Sequence, residues 1–146
     1  LQQDEVIVLV GLTQKQISRL PGNIIGISRT NNVHELVEIY SAADVFLNPT
    51  LEDNYPTVNL EAQACGTYTI TFDSGGSGET IIDSSLGRIC SERDAKELRE
   101  KLNEFREART VMNLEERGSS RNEQSVYRID KWAFSQKMLV FYERER

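Results

Sequence analysis

The sequence predicts an α/β protein, a parallel sheet with helices on both faces, and three observations carry that expectation. Short apolar, β-branched runs alternate with segments of helical spacing. The first of these runs, ending in Gly, has the length of a buried parallel strand. Capping residues and the break Pro21-Gly22-Asn23 mark the changes of pattern. Glu5–Gly11 (EVIVLVG) is the first strand. Thr13 caps a helix expected to run through Leu20, and Pro21-Gly22-Asn23 breaks it. Asn23–Ile27 (NIIGI) is the second strand, and Asn32 caps a helix whose Val33, Leu36, Val37 and Tyr40 share one face.

Asp44–Asn48 (DVFLN) is the third strand, and Thr57–Cys65 (TVNLEAQAC) the third helix, closed by Gly66. Thr67–Phe72 (TYTITF) is the fourth strand, followed by the turn Asp73–Gly78 (DSGGSG), a short helix around Glu79–Ile82 and the strand Gly87–Cys90. Asp94–Arg109 then reads as a charge-rich helix with an apolar seam of Leu98, Leu102 and Phe105. Val111–Gln124 is polar and reads as a mobile stretch. Asp130 caps a last helix to about Tyr142, with apolar residues on more than one face.

Composition narrows the function. The 146 residues suit one domain with a real core. Seventeen basic against twenty-three acidic residues, a net charge of −6, argue against general nucleic-acid binding, which needs clustered Lys and Arg. The longest apolar runs, Val6–Val10 and Met138–Tyr142, fall far short of the ~20 residues of a membrane span. Two cysteines do not make a disulfide scaffold, which favours a reducing, cytoplasmic setting. The chain begins at Leu1 without an initiator Met, the mark expected of a piece of something larger.

In a parallel α/β sheet, ligands bind where strand ends lead into helix N-termini. The loops after Gly11, Ile27, Asn48 and Phe72 are therefore the places to search, and the third is the richest. Pro56 suits the first turn of a helix, where a missing N–H costs nothing. The amides of Thr57, Val58 and Asn59 then form a positive end suited to a diphosphate. Asp53 precedes that end and Glu61 lies one turn inside it. Carboxylates repel phosphate, so these two should face neutral hydroxyls. A diphosphate flanked by polyols is the shape of a nucleotide sugar. The plainer reading is a pair of acids stabilising the helix dipole, worth roughly 0.3–1 kcal/mol each.

The block from Ala42 to Ile81, which contains ADVFLNPT–LEDNYPTVNLEAQACG–TYTITFDSGGSGETI, closely resembles the donor-binding domain of retaining glycosyltransferases of the GT-B fold, a large family that builds bacterial polysaccharides and glycolipids. Its hallmark is an acid, seven residues and a second acid entering a helix. Asp53 and Glu61 have that spacing, with Asp53 where Glu is more frequent and Glu52 one residue out of register. The resemblance implies a Rossmann-like, incomplete C-terminal domain: residues 1–90 a nucleotide-sugar-binding core without its first strand–helix unit, residues 91–146 a helical segment of the same domain. It implies that Asp53 acts on the transferred sugar, that Glu61 holds the ribose, and that Asn54, Tyr55, Pro56, Thr57 and Val58 line sugar and phosphates. Ile27 and Ser28 would sit against the nucleobase.

The resemblance further implies a hexosyl transfer from a UDP- or GDP-linked sugar to a glycan or lipid-linked acceptor, with no cofactor and no metal. The acceptor-binding domain would be missing, so the chain alone would be inactive. The full enzyme would be cytoplasmic, peripheral on the inner membrane face, and the last helix could pair two copies. The family neutralises the diphosphate with an Arg and a Lys; Lys15, Arg19 and Arg29 have the charge but not the motif. Gly75-Gly76-Ser77-Gly78-Glu79 stands where Gly-Gly-x-Pro-Glu is usual, so a looser turn is expected. His34 reads as solvated and Cys65 as a small core residue. Two rivals are a sugar-nucleotide epimerase of the same fold and a receiver-like regulatory module. The latter needs an acidic pair after the first strand, where Gly11-Leu12-Thr13-Gln14 stands.

Overall fold

The computed structural model describes residues 5–118, with side chains as far as residue 110. Parallel sheets with flanking helices give a Rossmann-like α/β fold. The chain divides into two compact units, Leu1–Ile39 and Tyr40–Arg146.

In the first unit, β1 (Ile7–Val10) pairs in parallel with β2 (Ile24–Ile27), Ile7 opposite Ile24 and Val10 opposite Ile27. Between them, α1 (Gln14–Ile17) starts with a capping box. The Thr13 hydroxyl accepts from the Gln16 amide while the Gln16 side chain takes the Thr13 N–H. The helix is shorter than the expected run to Leu20. After Ser18 the amides of Arg19 and Leu20 turn back to Gln16 and Ile17, a tightening that Pro21 follows. Helix α2 (Val33–Ala42) is capped by Asn32, whose Oδ1 accepts from the Glu35 amide at 3.0 Å. The Glu35 carboxylate returns to the Asn31 amide, and these hydrogen bonds hold it below the ordinary carboxyl range.

The second unit is built on β3 (Val45–Asn48), β4 (Tyr68–Phe72) and β5 (Gly87–Cys90), parallel in that order. Val45 lies opposite Tyr68, and Thr69 opposite Gly87. Central strand β4 alternates between two buried faces. Ile70, Phe72 and Cys90 form an apolar core with Val45, Leu47, Leu98 and Leu102. The last two belong to α4 (Ala95–Gly118), whose third seam residue, Phe105, stacks on Tyr68 at 5.0 Å. The predicted apolar seam is thus the packed one. Burial pushes the Cys90 thiol up to about 11, so it stays protonated inside this core.

The other face of β4 carries Thr69 and Thr71, with Thr67 just ahead of the strand, all buried; the Thr67 amide donates to the Ala62 carbonyl of α3 (Thr57–Ala64). Thr67 donates to the Tyr40 carbonyl at 2.5 Å and Thr71 to that of Asn48 at 3.2 Å. Two expectations are corrected here. The helix expected around residues 79–82 is a single 3-10 turn, Gly78–Thr80. The polar stretch from Val111 begins inside α4, which runs to Gly118 because no Gly or Pro interrupts it earlier. The helix expected over Asp130–Tyr142 and its pairing surface lie outside the described residues.

Candidate functional site

Strand β3 ends at Asn48, and the chain re-enters regular structure at Thr57. The loop between them is held by three ties. Ser74, after β4, donates its hydroxyl to the Thr50 carbonyl at 2.9 Å. Arg93, after β5, donates Nε to the Asp73 carbonyl at 2.9 Å and Nη1 to that of Leu51 at 3.4 Å. The Gly76 amide donates to the Asn54 carbonyl at 2.9 Å. All three ties come from loops at the carboxyl ends of the strands.

Asp53 is half-buried, and its Oδ1 accepts from the Tyr55 amide at 3.1 Å, a local turn that leaves Oδ2 without a partner among the described residues. Asn54 and Tyr55 are exposed and Pro56 is buried. Pro56 is the N-cap of α3, extended at φ −71° and ψ 98°, rather than a residue of its first turn. The Asn59 amide therefore donates back to the Pro56 carbonyl at 3.1 Å. Of three amides expected at the helix end, those of Thr57 and Val58 remain for a ligand.

Glu61 is exposed one turn further on, and two hydroxyls converge on it. Thr57 donates to Oε1 and Tyr40, from α2, to Oε2, each at 3.5 Å. Burial first, and then the charge of Glu61, push the Tyr40 phenol up to about 12, so it remains a donor throughout the physiological range. Above the ordinary Tyr value of 10.0, an unfolded chain loses this proton before the folded one does. Its contribution to stability is accordingly lost as the pH climbs from about 10 towards 12. Tyr40→Phe should flatten that part of the fall; urea unfolding at pH 8 and at pH 11 on both chains checks it, and identical pH dependence would refute it.

Beneath the loop lies a buried polar network that the sequence reading missed. Asn59 Oδ1 accepts from Asn48 Nδ2, and its Nδ2 donates to the Thr80 hydroxyl, both at 2.8 Å. Gln63 Nε2 reaches the carbonyls of Asn59 and Thr80, both at 2.9 Å, while its Oε1 is buried without a partner among the described residues. Asn59 and Gln63 sit four apart on a helix, which places them on one face; that spacing was the available signal.

Asp53 to Val58 and Glu61 therefore lie together, on one loop and the helix it enters. Ile27 ends β2 in the first unit and Ser28 follows it, the former half-buried and the latter exposed. The Ile27 carbonyl accepts from the amides of Gly11 and Leu12 at 2.9 and 3.3 Å. Among the described residues, no group of three or more His, Cys, Asp or Glu could hold a metal ion, and no helix is long and apolar enough to cross a membrane. The turn after β4 is not loose despite Gly78. Ser77 and Thr80 amides bond back to Ser74 and Ser77 carbonyls, and the Ser74 and Ser77 hydroxyls meet at 3.2 Å.

The two acids and the helix N-terminus lie where a parallel α/β sheet gathers its ligand-facing loops, at the carboxyl ends of the strands. Residues 4–124 match the glycosyl transferases group 1 model, and the chain belongs to that family. It is 28% identical over 111 residues to the N,N'-diacetylbacillosaminyl-diphospho-undecaprenol alpha-1,3-N-acetylgalactosaminyltransferase of Campylobacter jejuni, covering 75% of this chain and 28% of that protein. It is 35% identical over 86 residues to an alpha-maltose-1-phosphate synthase of Mycobacterium tuberculosis, covering 59% of this chain and 21% of that protein. A D-inositol 3-phosphate glycosyltransferase of Streptosporangium roseum is 33% identical over 72 residues, 49% of this chain and 17% of that protein. The chain thus spans well under a third of the length of each. No solved structure matches it significantly.

Proposed function

We propose that this chain is the donor-binding part, the C-terminal domain, of a retaining glycosyltransferase that moves a hexosyl group from a UDP- or GDP-linked sugar to a glycan or lipid-linked acceptor. The observation that carries the reading is the sequence of groups along one short segment. Asp53 keeps a free carboxylate oxygen before the helix, Thr57 and Val58 offer amides at its end, and Glu61 stands one turn inside. Family membership and the transferase names of the relatives support it.

In this mechanism Asp53 orients the sugar through its hydroxyls, and Glu61, steadied by Thr57 and Tyr40, takes the ribose. The α3 amides bear the charge that grows on the departing diphosphate. The acceptor attacks from the face the diphosphate leaves, so no protein nucleophile is called for. Asn54, Tyr55 and Pro56 shape the passage between the two carboxylates. The acceptor site belongs to another part of the protein, and the chain alone binds donor without turning it over.

Glu61→Ala should weaken binding of UDP or GDP by about ten- to a hundredfold, since hydrogen bonds to a charged group contribute roughly 1.5–3 kcal/mol. Calorimetric titration of parent and variant with both nucleotides is the measurement. Equal affinities would remove Glu61 from the ribose, and no binding by the parent would remove the reading itself.

A further inference from the structure

The turn after β4 does more than connect two elements. Gly75 has φ +52°, and a Cβ there would stand 2.0 Å from the Asp53 carbonyl oxygen. A Cβ on Gly76 would stand 2.2 Å from the Asn54 carbonyl oxygen and 3.2 Å from the Tyr55 ring. Ordinary contact begins near 3.4 Å, so any side chain at either position must drive turn and loop apart by more than an ångström. The same turn is fastened to the same loop by Gly76 N–H on Asn54, by the Ser74 hydroxyl on Thr50, and by Arg93 bridging Asp73 and Leu51. Steric fit and hydrogen bonding thus converge on the backbone that carries Asp53.

We propose that Gly75 and Gly76 are positioning residues that set the Asp53 carboxylate for the donor's sugar. The bare backbone of the turn is the surface against which the Asp53–Tyr55 segment is pressed. The free Oδ2 owes its direction to that contact as well as to the Tyr55 amide. Among the described residues no hydrogen bond joins the turn to Glu61 or to the Thr57 and Val58 amides, so the nucleotide half of the donor does not depend on it. This rests on the proposed donor site, and it makes a distinction that site alone does not: the turn governs the sugar and not the diphosphate.

The test compares a nucleotide sugar with its nucleoside diphosphate on the same 146-residue chain, using UDP-glucose against UDP and GDP-mannose against GDP. For whichever pair the parent binds, Gly75→Ala and Gly76→Ala should lower the ratio of sugar-nucleotide to diphosphate affinity by roughly ten- to a hundredfold, the effect of losing a hydrogen bond to a charged group. Ser74→Ala, which removes one tie and adds no atoms, should lower it by a few-fold. Gly78→Ala should leave it unchanged, because a Cβ there meets only the Asp73 carboxylate at 3.1 Å and the Ile89 side chain at 3.6 Å. Thermal unfolding of each variant runs beside the titrations, and if the glycine variants do not fold, Ser74→Ala decides. Equal weakening of both ligands, or an unchanged ratio in Ser74→Ala and the glycine variants, overturns the proposal while the donor site stands. A parent that binds neither pair overturns both.

Discussion

Asn59→Leu should cost the second unit about 2–5 kcal/mol, because it strands two polar partners at once. The side chains have similar volume, so the loss is not one of packing. Asn48 Nδ2 loses its acceptor and the fully buried Thr80 hydroxyl loses its donor. Thr80 keeps its own hydrogen bond to the Ser77 carbonyl, which bounds the damage from above. Urea denaturation followed by circular dichroism measures the change. A loss below about 1 kcal/mol would mean that water enters the network and re-satisfies both groups.

Ile70→Ala attacks the opposite face of the same strand and should cost about 2–5 kcal/mol by a different route. Ile70 is fully buried in the middle of β4, packed against Phe72, Cys90 and the Leu98 and Leu102 side chains of α4. Both neighbouring strands pin β4, so the cavity cannot close by moving it. The signature that separates the two variants is where protection is lost. Amide exchange should rise in α4 for Ile70→Ala, and in α3 and the turn Ser74–Thr80 for Asn59→Leu. Exchange that rises equally everywhere in both would deny that the faces of β4 are held by separate devices.

Much of the second unit was legible because its signals are local. The helix and strand boundaries from Val45 to Cys90 follow apolar runs, a proline ahead of α3 and Gly66 after it. The candidate site was legible for the same reason: Asp53, the α3 N-terminus and Glu61 fall within nine consecutive residues. What escaped was whatever arrives from elsewhere in the chain. Tyr40 looked like one more apolar residue of α2, yet its hydroxyl turns to Glu61. Arg93, just ahead of a charge-rich helix, carried no signal of its own, yet it spans two loops separated from it by some twenty and forty residues. The threonines of TYTITF would serve equally well on an exposed face, and the packed chain buries all three.

The sequence by itself determined the class of fold, the order and rough extent of its elements, and the loop in which the chemistry is gathered. Those properties depend on periodicity, caps and breakers, which act over a few residues. Tertiary structure alone decided that the strands pair as β1–β2 and as β3–β4–β5, that Pro56 caps α3 from outside, and that two glycines press on the Asp53 backbone. Each is a matter of which distant groups meet within a few ångströms. Hydrogen bonds and steric contacts of that range are properties of the packed chain, and no local pattern encodes them.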